Sequence, residues 1–407
     1  HSFKIIGDSG IYAALKIQGS TMKRLLAASI AVGMAASVLS YSASAADLPK
    51  RVSWTAYGTT SSGYANGVAI GNVLKKNYGT EVRLIPGKND VSRMIPVLKG
   101  KADLCACGAA AILLQEGVFD FAKPKWGPQR VFNIFNNAKG RNGVTMALAG
   151  DIGVKSMSDL KGKRIAFVRG APALNANMAA GLAFGGLTWN DVKRVDFPGW
   201  KQAVDGVIGG QADAVIASTN SPHIQRLAAS PRGQMHPAYP HGDKAAWERA
   251  KAEMPIWNPR KVSVGIALKD NMQGSTPYDG AGFPYPIYVT YGDRSEDFIY
   301  ALTKAVVSHH AEITEALKNA DGYGIDRQIL KWVMPYHPGS IKYYKEIGAW
   351  TADHDAHNTA LLKRQDVLAA AWTKVKALGL EGDAHLKKWA EIRAASLEAA
   401  GMNVPFK

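Results

Sequence analysis

A chain of 407 residues is too long for one ordinary core and suits two lobes. Its 49 Lys and Arg against 33 Asp and Glu give a formal charge of +16, which points to an anionic ligand or surface, or to solvated lysines on helix backs. The basic residues are scattered, with no Lys/Arg run interleaved with aromatics, and this sets nucleic acid aside as a partner.

Residues 1–21 begin without Met, show no clear period, and read as upstream sequence. From Met22 a different pattern starts: Lys23 and Arg24, an apolar run from Leu25 to Leu39, and then Tyr41-Ser-Ala-Ser-Ala45, whose small residues suit cleavage after Ala45. This is the pattern of a secretory signal peptide, and it predicts a periplasmic protein. Its apolar run is too short to span a bilayer, and no later stretch offers about 18 consecutive apolar residues.

Val52 to Tyr57 alternates as a strand and leads into the hydroxyl-rich loop Gly58-Thr-Thr-Ser-Ser-Gly-Tyr64, followed by a helix carrying Val68, Ile70, Val73 and Leu74. The hydroxyls of Thr59, Thr60, Ser61 and Ser62 are placed either to bind a carboxylate or to cap that helix. Glu81 to Ile85 is a further strand and Val91 to Leu98 a short helix carrying Arg93. Leu104 to Cys107 is a strand that runs into Gly108 and three alanines, where backbone can approach a ligand. Cys105 and Cys107, the only cysteines, project from one strand face at a spacing that strains a disulfide, so they are expected to be buried thiols. A metal at the pair would need further ligands, and no His pair lies nearby in sequence.

In the middle of the chain Arg164 to Val168 reads as a buried strand, Arg169-Gly-Ala-Pro172 as a turn, and a helix is predicted from about Ala173. The free N–H groups and dipole of that helix end suit an anion, although the pattern also serves as a plain β-to-α connection. Val192 to Phe197, Gly199 to Ile208 and Ala214 to Ser218 continue as strand, helix and strand, ending in Thr219-Asn-Ser-Pro222. Ligands of open α/β sheets sit beyond the carboxyl ends of strands. That rule gathers Thr59 to Ser62, Tyr64, Gly108, Arg169, Gly170, Ala173, Asn175, Thr219 and Asn220 around one crevice, with Arg93 in reach. Gly-x-Ser-x-Gly, His-Glu-x-x-His and the Gly-Lys-Ser/Thr phosphate loop are missing from the sequence, which argues against an enzyme.

Several runs together resemble the TAXI family, the extracytoplasmic solute receptors of TRAP transporters: Thr59 to Gly63, Leu98-Lys-Gly-Lys-Ala-Asp103, Asp159-Leu-Lys-Gly-Lys-Arg-Ile165, Gly170-Ala-Pro172, Gly210-Gln-Ala-Asp-Ala214 and Tyr336-His-Pro-Gly-Ser-Ile-Lys-Tyr-Tyr-Lys-Glu346. The resemblance spans about Val52 to Gly348. It implies a monomeric α/β receptor of the type II periplasmic-binding-protein fold, with no cofactor. Each lobe is a mixed sheet with flanking helices, the cleft closes on a small organic anion, a carboxylate, and the partner is a TRAP permease.

Two departures bear on the ligand: Leu174 stands where the family usually has a hydroxyl, and Asp90-Val-Ser-Arg93 replaces a Ser-x-x-Asn step. Residues 47–143 and 293–407 are expected to form one lobe and 144–292 the other, with amphipathic helices beyond Ala349 packing on a lobe. An enzyme on the same fold using Cys105 or Cys107, and a receptor of another transporter class, are the alternatives. N-terminal sequencing of exported protein is expected to begin at Ala46; a retained Met22 would refute the signal peptide.

Overall fold

The structure is a computed structural model that describes residues 47–318 and 320–406. The signal peptide expected at Met22–Ala45 lies outside the described residues. Strand β1 (Arg51–Tyr57) puts Val52, Trp54 and Ala56 into the core of the first lobe, while on its other face Arg51 is exposed, Ser53 half-buried, and Thr55 and Tyr57 buried. Helix α1 (Ser62–Tyr78) follows, its first turn closed by Ser61, whose hydroxyl accepts the Tyr64 N–H at 3.0 Å. After β2 (Glu81–Gly87), helix α2 (Asp90–Leu98) starts from a reciprocal capping box between Asn89 and Ser92. Strand β3 (Leu104–Cys107), helix α3 (Ala110–Glu116) and strand β4 (Val131–Asn136) complete the first run.

The chain then crosses through residues 137–143 into β5 (Val144–Ala149), β6 (Arg164–Val168), α4 (Pro172–Phe184), β7 (Lys193–Phe197), α5 (Trp200–Ile208), β8 (Ala214–Ser218), α6 (Pro222–Ala228) and β9 (Gln234–Met235). Helix α7 (Lys244–Glu253) and an antiparallel pair, β10 (Asn258–Val262) and β11 (Tyr278–Gly282), precede β12 (Ile287–Tyr291). Helices α8 (Glu296–Ser308), α9 (His310–Ala316), α10 (Pro338–Glu346), α11 (Ala352–Lys376) and α12 (Gly382–Ala399) finish the described chain.

The strands form two five-stranded sheets, in the orders β2-β1-β3-β12-β4 and β7-β6-β8-β5-β9. The two orders are the same pattern. In each sheet the strand that arrives from the other lobe, β12 or β5, is inserted antiparallel beside the third strand and pairs on its other side with the last one. This mixed pattern, with helices flanking each sheet, is the type II binding-protein architecture. Matching devices hold the two halves. Asp103, just before β3, accepts the Ser53 N–H of β1 at 2.7 Å, and Asp213, just before β8, accepts the Arg164 N–H of β6 at 2.8 Å. The Lys-Gly-Lys-Ala-Asp and Gly-Gln-Ala-Asp runs are therefore strand-docking motifs.

Two expectations are corrected. Strand β12 belongs to the first sheet, so the return crossing lies at 283–286, ahead of this strand; a boundary at 292/293 would assign to the second lobe a strand paired to both β3 and β4. Cys105 and Cys107 are joined in a disulfide, because β3 tightens locally to a Cα–Cα separation of 5.1 Å, inside the range a disulfide spans. Both sulfurs are used in that bond, so neither position offers a thiolate nucleophile.

The last two helices dock on the first lobe through a buried charge cluster. Arg364 of α11 meets Glu116 of α3 with a fork of two bonds, 2.7 and 2.8 Å, and Arg393 of α12 adds a third at 2.7 Å. Leu368, Ala371, Val375, Trp389 and Leu397 pack into a satellite core around this cluster, against Ala122. Burial pushes the Glu116 carboxyl up, but the two guanidiniums outweigh it and hold the pKa below the usual glutamate range. A carboxylate so depressed contributes stability that is present above the usual glutamate pKa and is lost as pH falls through its lower, folded value. Glu116→Gln leaves two buried guanidiniums uncompensated and is expected to cost ~3–5 kcal/mol in urea unfolding; a loss under about 1 kcal/mol would show that the extension docks by apolar contact alone.

Candidate functional site

Between the lobes lies a cavity of about 40 Å³, room for two or three waters, whose walls come from both sheets. The first lobe contributes Tyr57 at the end of β1, Ser62 at the start of α1, Asp90 and Arg93 on α2, and Gly108 to Ala110 after β3. The second contributes Ala173, Leu174 and Asn177 on α4, Trp200 on α5 and Ile216 to Ser218 on β8. Phe283 and Tyr285, on the return crossing, close one side. Gly108 has a steric reason: a Cβ there would lie 2.8 Å from the Tyr285 ring.

The charge at this cavity is internally satisfied. One Asp90 oxygen accepts from the Arg93 guanidinium at 2.6 Å and from the Tyr57 hydroxyl at 2.5 Å. The other accepts the Ala173 N–H of α4 at 2.9 Å, across the interlobe gap. Arg93 is 1% exposed, lies 3.7 Å above the Tyr57 ring and donates a further bond to the Ala106 carbonyl at 3.0 Å. Burial pulls its pKa down, but Tyr57 and Asp90 pull harder in the other direction, so it stays charged. Burial, then the Asp90 charge, pushes the Tyr57 hydroxyl well above its ordinary pKa and keeps it a proton donor. The N-terminus of α4 is the anion seat expected from the turn before Ala173, and a carboxylate of this chain occupies it.

Other expected residues are distributed differently. Arg93, Ser62, Gly108 and Ala173 line the central cavity. Thr59 and Thr60 line a neighbouring opening of about 340 Å³ with Trp200 and His223, where Thr60 Oγ1 lies 2.7 Å from His223 Nε2. Arg169 and Gly170 face a third pocket of about 420 Å³ beside Lys88, Lys123 and Trp126, and the Arg169 side chain is exposed. Ser61 is the helix cap, and Tyr64 packs against the first core. Asn175 spends its amide on the Val168 backbone, donating to the carbonyl and accepting from the N–H, both at 2.9 Å. Thr219 accepts the Gly143 N–H and donates to the Val264 carbonyl, and Asn220 accepts from Ser218. These last five shape the scaffold around the cleft.

Sequence reading missed Tyr57, Asp90, Trp200, Phe283 and Tyr285. The departure at Asp90-Val-Ser-Arg93 was the available signal for Asp90, since an acid three residues before an arginine on a helix pairs with it. Among the described residues no group of three or more His, Cys, Asp or Glu side chains is placed to hold a metal, and no helix is long and apolar enough to cross a membrane.

A family model described as the NMT1-like family matches residues 55–348. The chain belongs to the NMT1-like family. No curated protein matches this NMT1-like chain in sequence. Among solved structures it is similar to the alkanesulfonate-binding protein SsuA from Xanthomonas axonopodis pv. citri bound to MOPS, at 15% identity over 77% of this chain and 84% of that one, TM-score 0.37. The periplasmic aliphatic sulphonate binding protein SsuA from Escherichia coli aligns at 12% identity over 84% and 91%, TM-score 0.39. An amino acid ABC transporter substrate-binding protein from Streptococcus pneumoniae bound to L-arginine aligns at 13% over 67% and 95%, TM-score 0.36.

In this NMT1-like protein His223 is a second interlobe contact with a built-in acid limit. Arg226 Nη1 lies 3.1 Å from His223 Nδ1 and can only donate, so Nδ1 accepts and Nε2–H donates to Thr60. Burial first, and then Arg226, lowers its pKa to about 4. A histidine depressed in the folded state contributes stability above its unfolded pKa and loses it as pH falls from about 6.5 toward 4. His236 and His337 are lowered too, so the informative quantity is a difference. Melting temperatures of wild type and His223→Gln, measured from pH 7 to 4, are expected to show a smaller acid-induced fall in the variant. Parallel curves would remove His223 from the interlobe balance.

Proposed function

We propose that this chain is a solute-binding receptor that captures a small organic molecule between its lobes and delivers it to a membrane importer. The observation that carries the reading is the cavity between the two sheets, whose walls come in comparable share from both lobes. A ligand touching both walls favours the closed arrangement by its differential affinity for it. We adopt the broader receptor reading, in which an ABC permease fits as well as the TRAP permease suggested by the sequence motifs. Export to the periplasm and a monomeric state belong to the same proposal.

The ligand chemistry we propose departs from the carboxylate expected of the sequence. Arg93 is the cavity's cation, and its charge is already matched by Asp90; the α4 N-terminus is matched by the same carboxylate. An incoming anion would meet the negative charge of Asp90 and no spare cation, whereas Tyr57, Trp200, Phe283 and Tyr285 offer aromatic faces. The part of the solute that enters is therefore uncharged, with apolar or planar surface.

A thermal-shift screen of neutral aromatic solutes beside mono- and dicarboxylates tests this. A ligand at hundredfold its Kd stabilises by about 2.7 kcal/mol. Stabilisation by neutral members, lost in Trp200→Ala, is expected. Stabilisation by carboxylates alone, strengthened in Asp90→Asn, would instead mean that the ligand's anion displaces Asp90. Small-angle scattering with a hit should give a smaller radius of gyration; an unchanged value at saturation would count against a clamp.

A further inference from the structure

The most unbalanced charge near the lobe junction lies outside the central cavity. A pocket of about 730 Å³ is bounded by Lys139 to Arg141 on the first crossing, Pro284 on the return crossing, residues 255–261 leading into β10, and residues 329–333 of the first lobe. Among the described residues five of its lining side chains are cationic, namely Lys139, Arg141, Arg260, Lys261 and Lys331, and none is a carboxylate.

Four of the five have outside attachments. Lys261 is paired with Asp279 and Lys331 with Asp353, Arg141 lies 3.6 Å from Asp321, and Lys139 donates to the Asp326 carbonyl at 3.1 Å. Arg260 differs. Among the described residues its one polar contact is a 3.2 Å bond from Nη1 to the Asn142 carbonyl on the first crossing. Its guanidinium stem lies flat on β11, so close that a Cβ at Gly282 would sit 2.9 Å from Cδ and Nε. The side chain is half-buried, and desolvation lowers its pKa to about 10. A desolvated guanidinium without a counter-ion is costly and is met in proteins by an anion. The pocket wall holds a second unsatisfied donor, the buried indole N–H of Trp332.

We propose that this pocket binds a small polyvalent oxyanion, of phosphate or carboxylate chemistry, held by Arg260 at the junction of the two lobes. The fork of the guanidinium fits two oxygens of such a group, and the neighbouring lysines add charge without fixed geometry. The proposal goes beyond the receptor reading and does not depend on it, because it concerns a different pocket and a different ligand class. An anion seated there touches both crossings, the segments that must flex when the lobes part.

Titration calorimetry of the full chain with sodium pyrophosphate and with citrate, against sodium chloride at matched ionic strength, tests it. Saturable heat with at least one oxyanion and none with chloride is expected, and Arg260→Gln should weaken it by at least about tenfold. Arg260→Lys, which keeps charge but loses the fork, should fall between wild type and Arg260→Gln, and Lys363→Gln, on the exposed face of α11, should match wild type. Where Arg260→Gln does not fold, the double variant Lys139→Gln with Lys331→Gln replaces it and is expected to weaken binding as well. No saturable heat with wild type, or equal affinity in the Arg260 or double variants, would overturn the site.

Discussion

Closure of this molecule depends on where one carboxylate sits. Asp90 is carried by a helix of the first lobe, and it answers the two positive features that face the cleft, the Arg93 guanidinium from its own helix and the N-terminus of α4 from the opposite lobe. Both are expensive to bury unanswered. When the lobes part, the Asp90–Ala173 bond breaks while the Asp90–Arg93 and Asp90–Tyr57 bonds can persist, because they lie within one lobe. At Asp90, opening thus frees one N–H and leaves the ion pair intact, while the Thr60–His223, Asn89–Arg169, Val91–Gly170 and Trp200–Lys88 bonds break elsewhere along the gap. That arrangement lets the lobes separate without stranding a buried charge, and it gives the closed form a contact that needs no ligand.

The rest of the fold places Asp90 and its partners. Asn89 and Ser92 cap α2 so that its first turn points across the gap, and the Asn89 amide also reaches the Arg169 carbonyl at 3.0 Å. Tyr57 ends β1, whose register with β2 and β3 is fixed by Trp54 in the core and by Asp103 at the strand edge. Tyr57 then packs among second-lobe residues such as Val168, Phe197 and Trp200, so one side chain belongs to the first sheet by backbone and to the second core by burial. The C-terminal helices act at a distance from this arrangement: through Glu116 they hold α3, and α3 begins just after Gly108, where the cavity wall turns.

Much of the fold was legible because it is written in local patterns. The alternating run at Val52, the buried run at Arg164 and the loop or turn that follows each pointed to two α/β halves. The run from Tyr336 to Glu346, which carried most of the resemblance, is scaffold: His337 caps α10 by accepting the Gly339 N–H, and Tyr344 donates to the Ile134 carbonyl of β4. A motif of that kind identifies relatives and says nothing of the ligand. The placement of β12 was not legible, since its alternation is the same whichever sheet receives it; long-range pairing decided. The disulfide escaped because an ideal strand holds i and i+2 further apart than β3 does. The surroundings of the site were not legible where charge bookkeeping was needed: an arginine reads as a ligand hook until its partner is known, and Asp90 becomes that partner only once α2 and β1 are packed together.

The same bookkeeping separates the two candidate pockets. A chain with an excess of cations invites the inference that its cleft binds an anion, but charge acts through local compensation, not through the total. At the cleft, one acid cancels the arginine and the helix dipole, and aromatic faces make up much of the remaining wall. At the junction, among the described residues, five cations share a pocket whose own lining holds no acid, and Arg260 has no carboxylate partner. The cation left without a carboxylate therefore lies beside the crossings between the lobes, and the cleft itself is left electrically quiet. On the proposed receptor reading, a cleft balanced in this way selects by shape and apolar contact, and the proposed anion site at the junction is separate from it.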